Sequence, residues 1–367
     1  MLKLIALLSF LCIPLLFFSV NNKEEKAASS ILSAKSSVKE TKVELGKIPD
    51  AKTLHNDYHI FQSFNNCGPA SLSMALSYYD IQESQQALGE QLRPYQNVEG
   101  VNDDKSVTLA EMAEKGKDYE LIAYHRPNGD MELIKYFVAN DMPVVVRTWL
   151  NQQEDIGHYR VIKGYDDTTK EIIQDDSYEG KNLRYSYDDF ATLWKAFNYE
   201  YLVLVPKEKD QLAKTIIGED VNSDVAWKTA ENNAQNQLKS DPDNVYSRFN
   251  LSTALYHTKQ YKEAVIEFEK VQDQLSSRML WYQIEPVQAY FALGNYDKVF
   301  SITNKILQNE NEAFSELYLI RSKIFIEQGN ITLAKEEFEK AVFYNQNLKD
   351  TKQSFTAFME KNRETTE

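Results

Sequence analysis

Cysteine is nearly absent: Cys12 and Cys67 are the only two in 367 residues, and Cys12 sits inside an N-terminal apolar run. The rest of the chain holds a single thiol, which excludes a disulfide-built fold. Histidine is as scarce, with five residues: His55, His59, His125, His158 and His257. His55 and His59 share a helical spacing, but no glutamate follows His55 and no third ligand is in place, so zinc is not expected. No Gly-x4-Gly-Lys-Ser/Thr occurs, which excludes a P-loop ATPase. No cofactor is expected. Basic charge falls short as well, with 41 Lys plus Arg against 55 Asp plus Glu and a formal charge of −14. Such a chain is repelled by nucleic acid and by anionic membrane surfaces, so neither is a principal ligand. What remains is ordinary: 43% hydrophobic and 26% charged residues, which exclude wholesale disorder, a collagen-like chain and a polytopic membrane protein. The length suggests two domains.

One long apolar run is present. Met1-Leu2-Lys3 leads into Leu4 to Val20, seventeen residues without a charge, followed at once by polar Asn21-Asn22-Lys23. Residues 1–22 are expected to be a signal peptide or signal anchor, so the protein is expected to be exported, either anchored in the cell envelope or released. Leu11 before Cys12 argues against a lipoprotein box. Residues 23–50 are rich in Lys, Glu, Ser and Ala and read as a flexible linker.

Self-similarity marks the C-terminal half. Tyr261, Tyr296 and Ile331 are 35 residues apart, and Ala264, Val299 and Ala334 follow three later in each unit. Phe268, Thr303 and Phe338 continue the series, then Val271, Ile306 and Ala341. Each unit reads as a helix, a short turn (Gly294-Asn295, Gly329-Asn330) and a second helix. The pattern resembles the tetratricopeptide repeat, whose nominal period is about 34. Pro286 and Arg321 depart from it where leucine is usual, as does Thr303 where a large apolar residue is usual. Three repeats are expected over 243–350, preceded by a linker and half-repeat helix over 208–242 and followed by a tail, 351–367. The resemblance implies an all-α solenoid that binds a protein partner.

Residues 51–207 differ. Asn66-Cys67-Gly68-Pro69 leads into an amphipathic stretch with Leu72, Ala75, Leu76 and Tyr79 at helical spacing. Pro69 suits a first helical turn, which places Cys67 at a helix N-terminus, where the thiolate is favoured. Gly68 is expected to let a substrate carbonyl approach the backbone. A nucleophilic thiol needs a base and an orienting group. His158 opens a strand ending in Gly164-Tyr165-Asp166, and a second strand, Glu171 to Gln174, runs into Asp175-Asp176. A hairpin of these two strands brings His158 beside Asp175 or Asp176. Strands are also expected at Pro143 to Arg147 and at Tyr201 to Val205. Of the 22 tyrosines, Tyr159 adjoins the candidate base.

Three motifs together, Gln-x4-Cys-Gly-Pro-Ala-Ser-Leu from Gln62, His-Tyr-x-Val-x-x-Gly-Tyr-Asp from His158 and Asp-Ser-Tyr-x-Gly from Asp176, resemble the C39-like peptidases. The resemblance implies an α+β papain-like fold over 51–207, with a Cys-bearing helix packed on an antiparallel sheet. It also implies Cys67 as nucleophile, His158 as general base and acid, and Asp176 as the orienting carboxylate. Gln62 with the Cys67 amide would form the oxyanion hole. Gln62 lies five residues before Cys67, and Ser177 stands where the family usually has proline. The expected function is an exported or membrane-anchored cysteine peptidase acting on a peptide or protein substrate, with a membrane role only for the N-terminal segment. The rivals are an acyltransferase using the same residues, or an inactive papain fold serving as a docking protein.

Overall fold

The computed structural model describes residues 44–95, 107–308 and 311–347, with Gln353, Ala357, Phe358 and Glu360 beyond. The Leu4–Val20 run, the linker up to residue 43 and most of the tail lie outside these residues. Among the described residues no helix is long and apolar enough to cross a membrane. Glu44–Glu367 forms one unit.

Two short sequences set the centre of the sheet. Val144–Trp149 (β3) and Tyr201–Val205 (β7) are largely apolar and buried throughout, as strands covered on both sides must be. Around them run β2 (Ile122–Arg126), β4 (Gly157–Asp166), β5 (Glu171–Asp176) and β6 (Gly180–Ser186), in the order β2-β7-β3-β4-β5-β6. Every pair is antiparallel, and β1 (Ala51–Thr53) joins the far end of β4. The four expected strands form. The edge β6 lacks a clear signal because it is only partly buried and carries Lys181 and Arg184.

Strand alternation divides the core. Val145, Tyr159, Val161, Leu202 and Leu204 face α1 (Cys67–Ser77), α2 (Gln85–Leu92) and α3 (Leu109–Gly116). Val144, Val146, Ile162 and Val203 face α4 (Met131–Ala139) and α5 (Tyr187–Lys195). Side chains of Ser84, Thr108, Asp130 and Ser186 cap α2 to α5 by accepting backbone N–H bonds, which fixes where each begins.

The helical region keeps the repeat with one break. Three turns share one geometry: Lys259, Gly294 and Gly329 have φ of 62, 70 and 74°. The amides of Gln260, Asn295 and Asn330 reach back to the carbonyls of Leu255, Tyr290 and Phe325 at 2.8, 2.9 and 2.8 Å. These are helix C-caps closed by a left-handed residue. The helices that follow, α9 (Tyr261–Glu269), α12 (Tyr296–Gln308) and α14 (Ile331–Tyr344), start at the three spaced positions. Ahead of them lie α8 (Val245–His257) and α13 (Ser315–Glu327) as single helices. The middle unit instead has a split helix, α10 (Met279–Tyr282) and α11 (Glu285–Ala292). Pro286 lies in the first turn of α11. Proline there cannot donate to the carbonyl of residue 282, so one continuous helix is not available.

Residues 208–242 were expected as a linker with a half-repeat helix, and they are packed helix for most of their length. Ala213 and Ile217 of α6 (Asp210–Ile217) join the sheet core, and α7 (Ser223–Ser240) is a long helix packed on α8. Trp149, Leu193, Ala196 and Phe197 from the sheet side share one core with Phe249, Met279, Trp281 and Val287 from the helical region. Burying side chains of this size contributes about 1.5–3 kcal/mol each, so the two parts are not beads on a string.

Lys259 holds a left-handed conformation that glycine holds in the other two turns. Replacing it (Lys259→Gly) is expected to stabilise the protein by about 0.5–1 kcal/mol, read as a higher Tm. An unchanged or lower Tm would show that the lysine side chain compensates elsewhere.

Candidate active site

The site is assembled at the start of α1. Asn65 takes a left-handed φ of 53°, and the Asn66 amide donates to the Ser63 carbonyl at 3.1 Å, so a tight turn delivers Cys67 as the first residue of α1. Every residue from Cys67 to Leu76 is buried, and the helix runs against the sheet. Pro69, within the first turn, sits where an amide has no partner one turn back. A Cβ at Gly68 would lie 3.2 Å from the Val107 Cβ and 3.5 Å from the Tyr159 ring, so glycine lets the start of α1 pack closely there.

His158 is the second residue of β4, and its ring is buried. Its Nε2 lies 2.8 Å from Asp176 Oδ1, and it also makes a side-chain hydrogen bond with Cys67. With Nε2 on the carboxylate, Nδ1 is the nitrogen left for the thiol. Strand parity separates the two acids. Asp176 pairs in register with Arg160, which shares the His158 face of β4, and Arg160 Nε stands 3.4 Å from Asp176 Oδ2. Asp175 turns to the other face, where Lys163 Nζ at 2.7 Å and the Asn182 amide at 2.8 Å hold it. The amides of Tyr178 and Glu179 also donate to Asp176 Oδ1, at 2.7 and 2.9 Å.

These contacts set the charges. Burial pulls the His158 pKa down, but hydrogen bonds to Asp176 and Cys67 and their negative charges prevail and push it up to about 8. For Asp176 burial acts upward, and the His158 bond with the charges of His158 and Arg160 prevails, bringing it down to about 2. At neutral pH both groups are mostly charged, although neither touches bulk water.

Gln62 is fixed from two sides. Its amide donates to the Ser177 carbonyl at 2.8 Å, and its Oε1 accepts from the Ser177 hydroxyl at 2.9 Å. Gln85 brackets the same segment, donating to the Phe61 carbonyl at 2.8 Å and accepting from the Ser63 amide at 2.9 Å. With Oε1 occupied, the Nε2 end of Gln62 is the free donor among the described residues. Ser177, in place of the family's proline, is thus what ties Gln62 to the residue beside Asp176.

Other expected neighbours go elsewhere. Tyr159 turns away from His158, as the next residue in a strand must, and its hydroxyl meets Arg147 Nε at 2.7 Å. His55 is exposed beside Asp57, whereas His59 Nε2 lies 2.9 Å from the Asp176 carbonyl. Sequence reasoning missed Arg160 and Ser177. Arg160 was open to it, since a residue two on from His158 shares its strand face.

Residues 52–202 match the model of the Peptidase_C39 like family, and residues 315–348 match the tetratricopeptide repeat. The chain therefore carries a C39-like peptidase domain followed by a helical region that contains a tetratricopeptide repeat. No curated protein matches it. Among solved structures, a Bacillus anthracis protein described as a C39-like peptidase is 16% identical with a TM-score of 0.37, over 43% of this chain and 98% of its own. The peptidase domain of Streptococcus ComA, a bi-functional ABC transporter involved in a quorum sensing pathway, is 21% identical with a TM-score of 0.33, over 42% of this chain and 100% of its own.

The Asp176–His158 pair has a pH signature. Asp176, lowered from 3.8 to about 2, contributes stability present above 3.8 and lost as pH falls through about 2. His158, raised from 6.5 to about 8, contributes stability present below 6.5 and lost as pH rises through about 8. Asp176→Asn is expected to cost about 3 kcal/mol between these limits and to flatten the Tm–pH curve on both sides. Asp175→Asn should destabilise through Lys163 and leave the alkaline limb from His158 in place. A His158 limb that survives in Asp176→Asn would disprove the assignment.

Proposed function

We propose that this protein is a cysteine peptidase using Cys67, His158 and Asp176. The supporting observation is one imidazole bonded through Nε2 to a buried carboxylate and also bonded to a cysteine at the head of a buried helix. An imidazolium beside the sulfur favours the thiolate, and the helix N-terminus adds to it. Cys67 Sγ attacks the peptide carbonyl carbon, and the carbonyl pair becomes an oxyanion facing the Cys67 amide and Gln62 Nε2. As the C–N bond breaks, His158 gives its proton to the leaving amine. It then takes one from water, which attacks the thioester and frees the carboxylic acid and Cys67. Asp176 keeps the ring aligned and its charge compensated throughout. The helical region, with its repeat, is the surface for a protein partner. An exported location, set by Leu4–Val20, belongs to the same proposal.

The test is the rate of Cys67 alkylation against pH, followed by peptide mass spectrometry in the full chain, with Cys12 as the reference thiol. In wild type the inflection is expected well below the ordinary thiol value of about 8.5. His158→Ala should return it to or above that value and, like Cys67→Ala, abolish cleavage of a peptide library. Wild type and His158→Ala with the same ordinary inflection would defeat the reading. Products with an added amine in place of water would redirect it to acyl transfer.

A further inference from the structure

The break in the middle repeat unit points straight at the site. Pro286 has no N–H to offer the Tyr282 carbonyl, which a continuous helix would require four residues back. That carbonyl is taken instead by Arg147 Nη1 of β3, at 3.0 Å. The same guanidinium donates from Nε to the Tyr159 hydroxyl at 2.7 Å and from Nη2 to the Val107 carbonyl at 2.9 Å. It thereby ties α10 to the strands and to the segment that leads into α3.

Freed from a regular helix, Tyr282 packs its ring edge-on against the touching pair Trp149 and Phe197, with centroids at 5.9 and 5.8 Å. Its hydroxyl accepts the backbone N–H of Gly157 at 2.9 Å. Gly157 is the residue immediately before His158 and pairs with Trp149 at the end of the β3–β4 ladder. A Cβ at position 157 would lie 2.9 Å from the Tyr282 ring, so the ring occupies the space that a side chain there would need. Burial pushes the Tyr282 phenol up to about 12, and the Gly157 bond acts against the rise.

We infer that Tyr282, supplied by the helical region, is a positioning residue for the Cys67–His158 pair, so the repeats complete the active site rather than merely accompany it. The inference rests on the proposed peptidase reading. Tyr282 acts through Gly157: it satisfies the amide at the mouth of β4 and fixes the strand end from which the imidazole projects. Without the hydroxyl that half-enclosed amide loses its acceptor, and the start of β4 gains freedom that reaches His158 at the next residue.

The test uses the full chain and the same Cys67 alkylation profile, with thermal unfolding measured alongside. Tyr282→Phe removes the acceptor and keeps the ring. Gly157→Ala disturbs the contact from the opposite side and serves if the first variant does not fold. Tyr290→Phe is the control, a buried tyrosine of the same region whose hydroxyl donates to Glu269 at 2.8 Å. Tyr282→Phe is expected to slow alkylation at pH 7 by about three- to tenfold and to move the inflection toward that of His158→Ala. Gly157→Ala should do likewise, and Tyr290→Phe should lower Tm without moving the profile. Folded Tyr282→Phe or Gly157→Ala whose profile superimposes on wild type would overturn the inference. Wild type indistinguishable from His158→Ala is a separate outcome, and it removes the peptidase reading and the inference together.

Discussion

A carboxylate sealed from water organises the site. Asp176 is fully buried, and a lone ion there would be costly enough to neutralise itself. It stays charged because the His158 imidazole, the Arg160 guanidinium and two turn amides converge on it. Each partner must then be held in turn. Arg160 is anchored to the Thr148 hydroxyl at 2.7 Å and the Leu150 carbonyl at 2.9 Å, so the end of β3 is fixed by the same network. Such a network is worth having only when complete, because any unpaired member would carry a buried charge.

Around this network the chain uses three unrelated devices to place the four candidate site residues. A left-handed asparagine and a proline start α1 so that Cys67 comes first. A two-stranded ladder brings His158 and Asp176 to one face by parity alone. A serine hydroxyl and the Gln85 amide hold Gln62 on the third side. The first device is local to the start of α1, whereas the ladder register and the Ser177–Gln62 bond join segments that meet only in the folded chain.

The helical region obeys a different logic. Its regular parts, the 35-residue spacing and the three left-handed caps, build the helix stack. Its irregular part makes the junction. Pro286 interrupts a helix, the released Tyr282 carbonyl finds Arg147, and Trp281 with Met279 closes a core shared with Trp149 and Phe197. A departure from the repeat thus became one of the places where the two parts join, beside the Asn250 contacts of α8 with Lys195 and Asn198.

The sequence by itself determined the periodic and local features. Helical spacing located α1 and the repeat helices, apolar runs located β3 and β7, and Pro69 placed Cys67 at a helix start. These follow from interactions within a few residues, where spacing in the chain is spacing in the fold. Asp175 against Asp176 was open because the hairpin register, which sets parity, comes from pairing across the sheet. The packing of Gly68 against Val107 and Tyr159 was hidden for a related reason: both neighbours are distant in sequence, so nothing local showed that it faces the core. The grip of Tyr282 on Gly157 joins residues 125 apart and exists only once both parts have folded against each other. Only the tertiary structure decided it, since a buried contact between distant segments leaves no period in the chain.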